Sequence, residues 1–244
     1  MRERQPEIVE CDGKDFDETA ARLIWARIAS IPSPLVTFPT GSTPLGLYRR
    51  LVQEHGTKKN IWHNIRCVSL DEYIGLPPGD ERLFARWLGR ELLDPAGVPQ
   101  TNRTMFNSLA ADTAKEAARI EQWIAQNGSL DIAVLGLGEN GHIAFNEPGS
   151  SFDSVTRAVR LSPETRSANA KYWGSLEKVP EEAYTLGLKT LSAARQIFLL
   201  VSGAHKAAAL DSTLNGPVTP AVPATVLRVH PRVTVIADRA ALGR

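Results

Sequence analysis

Apolar positions along this chain fall into two patterns, short continuous runs and stripes at helical spacing, and the two alternate. Leu35-Val36-Thr37-Phe38, Leu130-Asp131-Ile132-Ala133-Val134, Ile197-Phe198-Leu199-Leu200-Val201 and Val233-Thr234-Val235-Ile236-Ala237 predict buried strands, because each is brief, partly β-branched and bounded by turn residues. Ile65-Arg66-Cys67-Val68-Ser69-Leu70 predicts another, and Ala183-Tyr184-Thr185-Leu186-Gly187 a shorter one. Helical spacing instead unites Ala20, Leu23, Ile24 and Ile28 on a first helix that Asp15 or Asp17 would cap. Further helices are expected over residues 81–93, with Phe84, Trp87, Leu88 and Leu92 on one face, and over 113–126, with Ala117, Ile120, Trp123 and Ile124 on one face. One more is expected from Pro163 to Trp173. Strands alternating with helices predict an α/β fold: a mostly parallel sheet with helices on both faces, Rossmann-like and three-layered, as one domain over residues 1–244.

In such a sheet ligands bind outside the carboxyl ends of the strands, so the loops that follow them carry the chemistry. The strand at 130–134 runs into Leu135-Gly136-Leu137-Gly138-Glu139-Asn140-Gly141-His142-Ile143-Ala144-Phe145-Asn146-Glu147-Pro148, where a histidine stands between an amide and a carboxylate. Gly136, Gly138 and Gly141 satisfy G-x-G-x-x-G, yet a dinucleotide site is not expected. That fingerprint opens directly into a helix, whereas Asn146-Glu147-Pro148-Gly149-Ser150-Ser151 continues as loop, and no strand with a terminal acid follows about 20 residues on.

The strand at 35–38 leads into Pro39-Thr40-Gly41-Ser42-Thr43-Pro44 and then a helix with Leu45, Leu47, Tyr48, Leu51 and Val52 on its apolar side. Thr43 is placed to be its N-cap and Pro44 its first residue, an arrangement whose free N–H groups and hydroxyls suit a phosphate. An ordinary Gly-Ser turn before a capped helix would use the same residues. After residues 197–201, Ser202-Gly203-Ala204-His205-Lys206-Ala207 sets a lysine at a helix start, where like charges meet. A bound anion would account for it, as would an ammonium simply held in water. Asp71 and Glu72 follow the strand at 65–70; neighbours on an extended segment point to opposite sides, so only one would face a ligand. Two solvated loop acids are the plain alternative.

Composition narrows the class. The chain has 244 residues, 43% hydrophobic and 23% charged, as in an ordinary globular enzyme. A formal net charge of +1, without a basic cluster, predicts no nucleic-acid partner. Met1-Arg2-Glu3-Arg4-Gln5-Pro6 precedes no apolar leader, and no apolar run is long enough to span a bilayer; no membrane partner and a cytoplasmic location are expected. Cys11 and Cys67, far apart and in no metal-ligand spacing, suggest a reducing compartment and structural thiols. No metal pair of histidines and no G-x-S-x-G elbow appear. The inventory suits proton transfer on a phosphorylated small molecule.

Four segments carry a more specific signal. Pro39-Thr40-Gly41-Ser42-Thr43-Pro44-Leu45-Gly46, Leu70-Asp71-Glu72-Tyr73-Ile74-Gly75-Leu76, Gly138 to Pro148 and Ser202-Gly203-Ala204-His205-Lys206-Ala207 resemble, in order and spacing, the successive motifs of the glucosamine-6-phosphate deaminase family over almost the whole chain. The resemblance implies conversion of glucosamine 6-phosphate and water to fructose 6-phosphate and ammonia, with no cofactor and no metal. It implies that Asp71 moves the C2 proton to C1, and that His142, assisted by Asn140 and Glu147, opens the pyranose ring. Thr40, Gly41, Ser42, Thr43, Lys171 and Lys206 would hold the phosphate. The implied partner is a small amino-sugar phosphate, and a homo-oligomer stays open.

Departures from the family pattern matter too. Asn140 stands where many relatives carry Asp, and orients an imidazole without adding negative charge. Lys171 replaces the usual phosphate-binding Arg, a point charge in place of a fork. Gly79-Asp80-Glu81-Arg82-Leu83-Phe84 replaces a His-Pro-x-Ser-Tyr segment, which keeps galactosamine 6-phosphate open as substrate. The chain stops early relative to allosteric members and has Val159 where they place Lys, so no activation by N-acetylglucosamine 6-phosphate is expected. The rival readings are a 6-phosphogluconolactonase, disfavoured by Asn146-Glu147-Pro148, and a sugar-phosphate sensor without catalysis, disfavoured by the intact Asp71, His142 and Glu147.

Overall fold

The computed structural model describes residues 3–244; Met1 and Arg2, which open the segment read above for a leader, lie outside the described residues. Seven strands form one parallel sheet in the order β1-β10-β9-β6-β2-β3-β5. They are β1 (Glu7–Cys11), β2 (Leu35–Thr37), β3 (Arg66–Val68), β5 (Arg103–Thr104), β6 (Ile132–Gly136), β9 (Gln196–Val201) and β10 (Val233–Asp238). Alternation along the central strands feeds two separate cores. Ile132, Val134, Phe198, Leu200 and Ile236 pack with α1 (Phe16–Ala29) and α2 (Leu45–His55). Ala133, Leu135, Ile197, Leu199 and Val235 pack on the opposite face with α6 (Thr113–Gln126) and α9 (Ala207–Asn215). The three-layer α/β architecture expected from the alternating pattern is the one observed.

A second sheet was not foreseen. β4 (Asp71–Tyr73), β8 (Glu182–Thr185) and β7 (Arg157–Arg160) pair antiparallel, with β8 in the middle. Asp71 and Glu72 therefore belong to a strand and not to a loop, and both are buried, which removes the reading as solvated acids.

Local expectations fare unevenly. Helices α6 and α7 (Pro163–Trp173) start where expected, with Asp112 accepting from the Lys115 N–H at 3.0 Å and Ser162 from the Thr165 N–H at 3.1 Å. The helix expected over 81–93 is broken: α4 (Phe84–Leu88) passes through a π turn at Gly89–Leu93 into α5 (Asp94–Ala96). Phe84 leaves the face of Leu88 and Leu92 and joins a third cluster with Tyr73, Phe145 and Trp173. Neither acid proposed for the start of α1 caps it by side chain. Asp17 instead lies against Gly46 of α2, where an added Cβ would stand 1.8 Å from its Oδ2.

Thr43 is not the cap of α2 either. Residues 42–45 make a turn, Leu45 N–H to Ser42 carbonyl at 3.3 Å, and Pro44 occupies the cap position without a side-chain bond. Short helices α3 (Lys59–Trp62) and α8 (Leu188–Ser192) complete the set. Cys67 is buried in the core, where burial pushes its thiol up to about 12, and Cys11 is partly buried; the two thiols are free. No helix among the described residues is long and apolar enough to cross a membrane.

Candidate active site

The carboxyl ends of β2, β3, β6 and β9 converge on a cavity of about 360 Å³. Each loop singled out in the sequence supplies part of its wall. Thr40, Gly41, Ser42 and Thr43 line it after β2, Asp71 after β3, Asn140 and His142 after β6, and Lys206 after β9, while Lys171 enters from α7. Glu147 is not on the wall itself; it stands behind Asn140 and His142.

The loop after β2 is shaped for close approach. Gly41 has a φ of +101°, which an L side chain would strain. Tyr48, fully buried on α2, donates its hydroxyl to the Pro39 carbonyl at 2.5 Å and holds the loop from below. The loop after β9 is fixed by Asp238 of β10, whose carboxylate accepts from Ser202 Oγ at 2.6 Å and from the Gly203 N–H at 2.9 Å. Lys206 is thereby set at the cavity wall. Burial lowers its pKa first, the Glu139 carboxylate raises it, and the nearby Lys171 ammonium lowers it again. Two ammonium groups close enough to repel each other mark a place where an anion is favoured. Lys171 rests over the Tyr172 ring, 5.0 Å from Nζ to the centroid.

The loop after β6 is a hydrogen-bonded relay. Asn140 Nδ2 donates to Glu147 Oε2 at 3.0 Å, which fixes the amide so that Oδ1 faces the histidine. That oxygen accepts from the His142 backbone N–H at 3.1 Å and lies 2.7 Å from Nδ1. A carbonyl oxygen accepts only, so Nδ1 carries the ring proton and Nε2 is left as a base. Gly138 makes room, since a Cβ there would sit 2.3 Å from His142 Cε1. Burial lowers the His142 pKa, and Glu147, 3.6 Å from Nδ1, pulls it back up. The imidazole is neutral near pH 7 and has a carboxylate positioned to stabilise its charged form.

The far side of this loop is anchored to the second sheet. Asn146, fully buried, donates to the Leu186 carbonyl at 2.8 Å and the Ile143 carbonyl at 3.0 Å, and the Phe145 N–H donates to Thr185 Oγ1 at 3.1 Å. Sequence reasoning missed two further contributors. Thr165 of α7 donates its hydroxyl to Glu147 Oε1 at 2.5 Å, tying the helix that carries Lys171 to the relay. Asn169, one turn on, lines the cavity. Neither has a local signature, because the partner of Thr165 lies 18 residues away across a strand.

Asp71 provides a second base. Burial, and then the adjacent Glu72 charge, push its carboxyl up to about 8. A carboxylate so destabilised is a strong proton acceptor in a closed site. The assembled groups can take a proton from carbon, shuttle another between oxygens and hold a dianion.

Comparison with known proteins gives the family. Residues 14–236 match the family model described as glucosamine-6-phosphate isomerases/6-phosphogluconolactonase. A protein of Geobacillus sp. (strain WCH70) named glucosamine-6-phosphate deaminase is 40% identical over 94% of this chain and 92% of its own. Glucosamine-6-phosphate deaminase 1 of Bacillus subtilis (strain 168) is 37% identical over 96% and 97%. A solved structure described as a monomeric glucosamine-6-phosphate deaminase superposes with a TM-score of 0.93 at 37% identity, covering 97% of this chain and 99% of its own. The 6-phosphogluconolactonase of Thermotoga maritima shares the fold, with a TM-score of 0.77 at 20% identity over 96% of this chain and 100% of its own. The chain belongs to the glucosamine-6-phosphate isomerase/6-phosphogluconolactonase family.

Proposed function

We propose that this protein is an isomerising deaminase of amino-sugar phosphates, converting glucosamine 6-phosphate and water to fructose 6-phosphate and ammonia. One juxtaposition carries the reading: the buried Asp71 carboxyl and the Nδ1-protonated His142 border the same cavity as Lys171, Lys206 and the Gly41 turn. The names of relatives matched over more than nine-tenths of the chain support the substrate class.

The chemistry follows from the groups. The phosphate binds between Lys206, Lys171 and the 40–43 turn. His142 Nε2 takes the proton of the C1 hydroxyl as the C1–O5 bond breaks, and returns it to O5, leaving an aldehyde at C1. Glu147 stabilises the imidazolium formed in between, both directly and through Asn140. Asp71 then removes the C2 proton next to the carbonyl, the electron pair moves through C1 onto O1, and O1 takes a proton from the substrate's own C2 ammonium, giving an enolamine. The same carboxyl returns the proton to C1, leaving an imine at C2. Water adds to that imine and ammonia leaves, giving the ketose.

The test is release of ammonia and ketose phosphate from glucosamine 6-phosphate, with galactosamine 6-phosphate and 6-phosphogluconolactone in parallel. Activity on glucosamine 6-phosphate is expected. Lactone hydrolysis with both amino sugars inert would overturn the deaminase reading. Lys171→Arg is expected to lower KM about three- to tenfold with kcat unchanged, since a bidentate fork strengthens grip on a group that does not react. Steady-state kinetics check this, and a change confined to kcat would remove Lys171 from phosphate binding.

A further inference from the structure

Beside Asp71 lies a buried ionisable group to which the reaction above gives no part. Glu72 has no exposed surface, yet it is adjacent to Asp71 and alternation on β4 turns it away from the cavity that Asp71 lines. Its carboxylate is satisfied entirely by backbone. Oε1 accepts from the N–H groups of Tyr73 and Phe84, and Oε2 from that of Ala85, each at 2.9 Å. Phe84 and Ala85 are the first two residues of α4, whose N–H groups have no acceptor within the helix. Leu83 at the cap position has no polar side chain to offer, so the cap is delivered by a strand 12 residues earlier in the chain.

What the clamp holds is an aromatic cluster that reaches the cavity wall through Phe145. The Phe84 ring lies 4.7 Å from that of Tyr73 and 5.9 Å from that of Phe145, and the Tyr73 ring lies 5.1 Å from that of Trp173. Phe145 belongs to the histidine loop, and Trp173 ends the helix that carries Thr165 and Lys171. β4 is also held by its antiparallel pairing with β8 and by Ser108 Oγ, which donates to the Tyr73 carbonyl at 2.6 Å, and the bonds to Glu72 tie it to the start of α4.

We propose that Glu72 is a positioning residue for Asp71, clamping β4 to the first turn of α4 so that the neighbouring carboxylate is held at the substrate and in the field of a second negative charge. This rests on the reading of Asp71 as the base. The titratable groups facing the pair are Tyr48 from α2 and Tyr73 from β4, both phenols kept neutral by burial. Helix α4 presents backbone N–H groups only. Glu72 is itself pushed up to about 7 by burial, against the pull of its three N–H donors, so it is ionised over the upper part of the working range.

Two variants separate charge from reach, assayed for kcat and kcat/KM against pH on glucosamine 6-phosphate, with thermal melts to check folding. Glu72→Gln removes the charge and one acceptor. It is expected to lower kcat about tenfold and to move the acid limb of kcat/KM down by about one pH unit. Glu72→Asp keeps the charge but withdraws it by a methylene, and is expected to lower kcat similarly with the acid limb where the parent has it. A kcat loss in Glu72→Gln without movement of the acid limb, or parental kinetics in that variant, overturns the proposal. Should Glu72→Gln not fold, parental kcat in Glu72→Asp overturns it and a reduced kcat supports it. A parent inactive on every amino-sugar phosphate overturns the deaminase reading and this assignment together, whereas an active parent with unaffected variants overturns this assignment alone.

Discussion

Asp71→Asn is expected to lower kcat for deamination by about 10²–10⁴-fold and, at pH 9, to make the protein more stable than its parent. Both effects come from one carboxyl. As a base it has no substitute, since an amide of the same shape accepts no proton. As a buried charge it costs stability. The folded carboxyl titrates at about 8, against roughly 3.9 in an unfolded chain, so the folded state holds the proton more tightly. Its contribution is complete below pH 4 and is lost as pH rises through 8. At pH 9 the parent carries a buried carboxylate and the variant a neutral amide. The full shift converts to about 6 kcal/mol, and relaxation around the site leaves about 2 kcal/mol, or roughly 4–8 °C in melting temperature for a chain of this size. Melting curves from pH 4 to 9 check the sign: the gap should open with pH. A gap that is constant with pH would remove the buried charge from the account, and activity within tenfold of the parent would remove Asp71 from the reaction.

That carboxyl also shows where the sequence is legible and where it is not. Helices α6 and α7 were placed to the residue, one from its apolar face and the other from Pro163, and the structure adds local caps at Asp112 and Ser162, three residues from the N–H they serve. The central strands β6, β9 and β10 were visible because both faces are buried and the runs are continuously apolar. Strand β1 escaped notice, since Glu7 and Glu10 interrupt it and its pairing partner, β10, lies at the other end of the chain. Strand β4 escaped because its residues are Asp, Glu and Tyr, and no periodicity announces a strand whose burial is paid for by function. The turn at Gly41 was readable because a left-handed φ leaves a residue type behind. The cap of α2 was misassigned to Thr43 because the same residues fit a turn one position earlier, and Asp17 reaches that helix only through tertiary packing. Thr165 and Glu72 have no signature, since each acts on a partner that the fold brings to it.

His142→Gln is expected to divide the reaction. With the cyclic amino sugar, kcat should fall about 10²–10³-fold, because glutamine can accept a hydrogen bond from the C1 hydroxyl but carries no proton to O5. The exchange step assigned to Asp71 in the proposed reaction needs an open chain and not the opening itself. Fructose 6-phosphate supplies that chain in solution, so with ammonium in deuterated water the variant should still introduce deuterium at C1 within about tenfold of the parent rate, while Asp71→Asn loses both activities. The pH profile makes the same division. His142 titrates below the ordinary histidine range because burial outweighs Glu147, and Asp71 titrates near 8, so the higher group sets the acid limb of kcat/KM. The parent should gain activity as pH rises through about 8, and the residual activity of His142→Gln should keep that limb unmoved. Equal loss of deamination and exchange would place His142 in the carbon proton transfer beside Asp71. Retention of both would leave the relay of Glu147, Asn140 and His142 without a catalytic part, since nothing in its geometry other than the proton at Nδ1 and the free base at Nε2 requires the order in which these three side chains are joined.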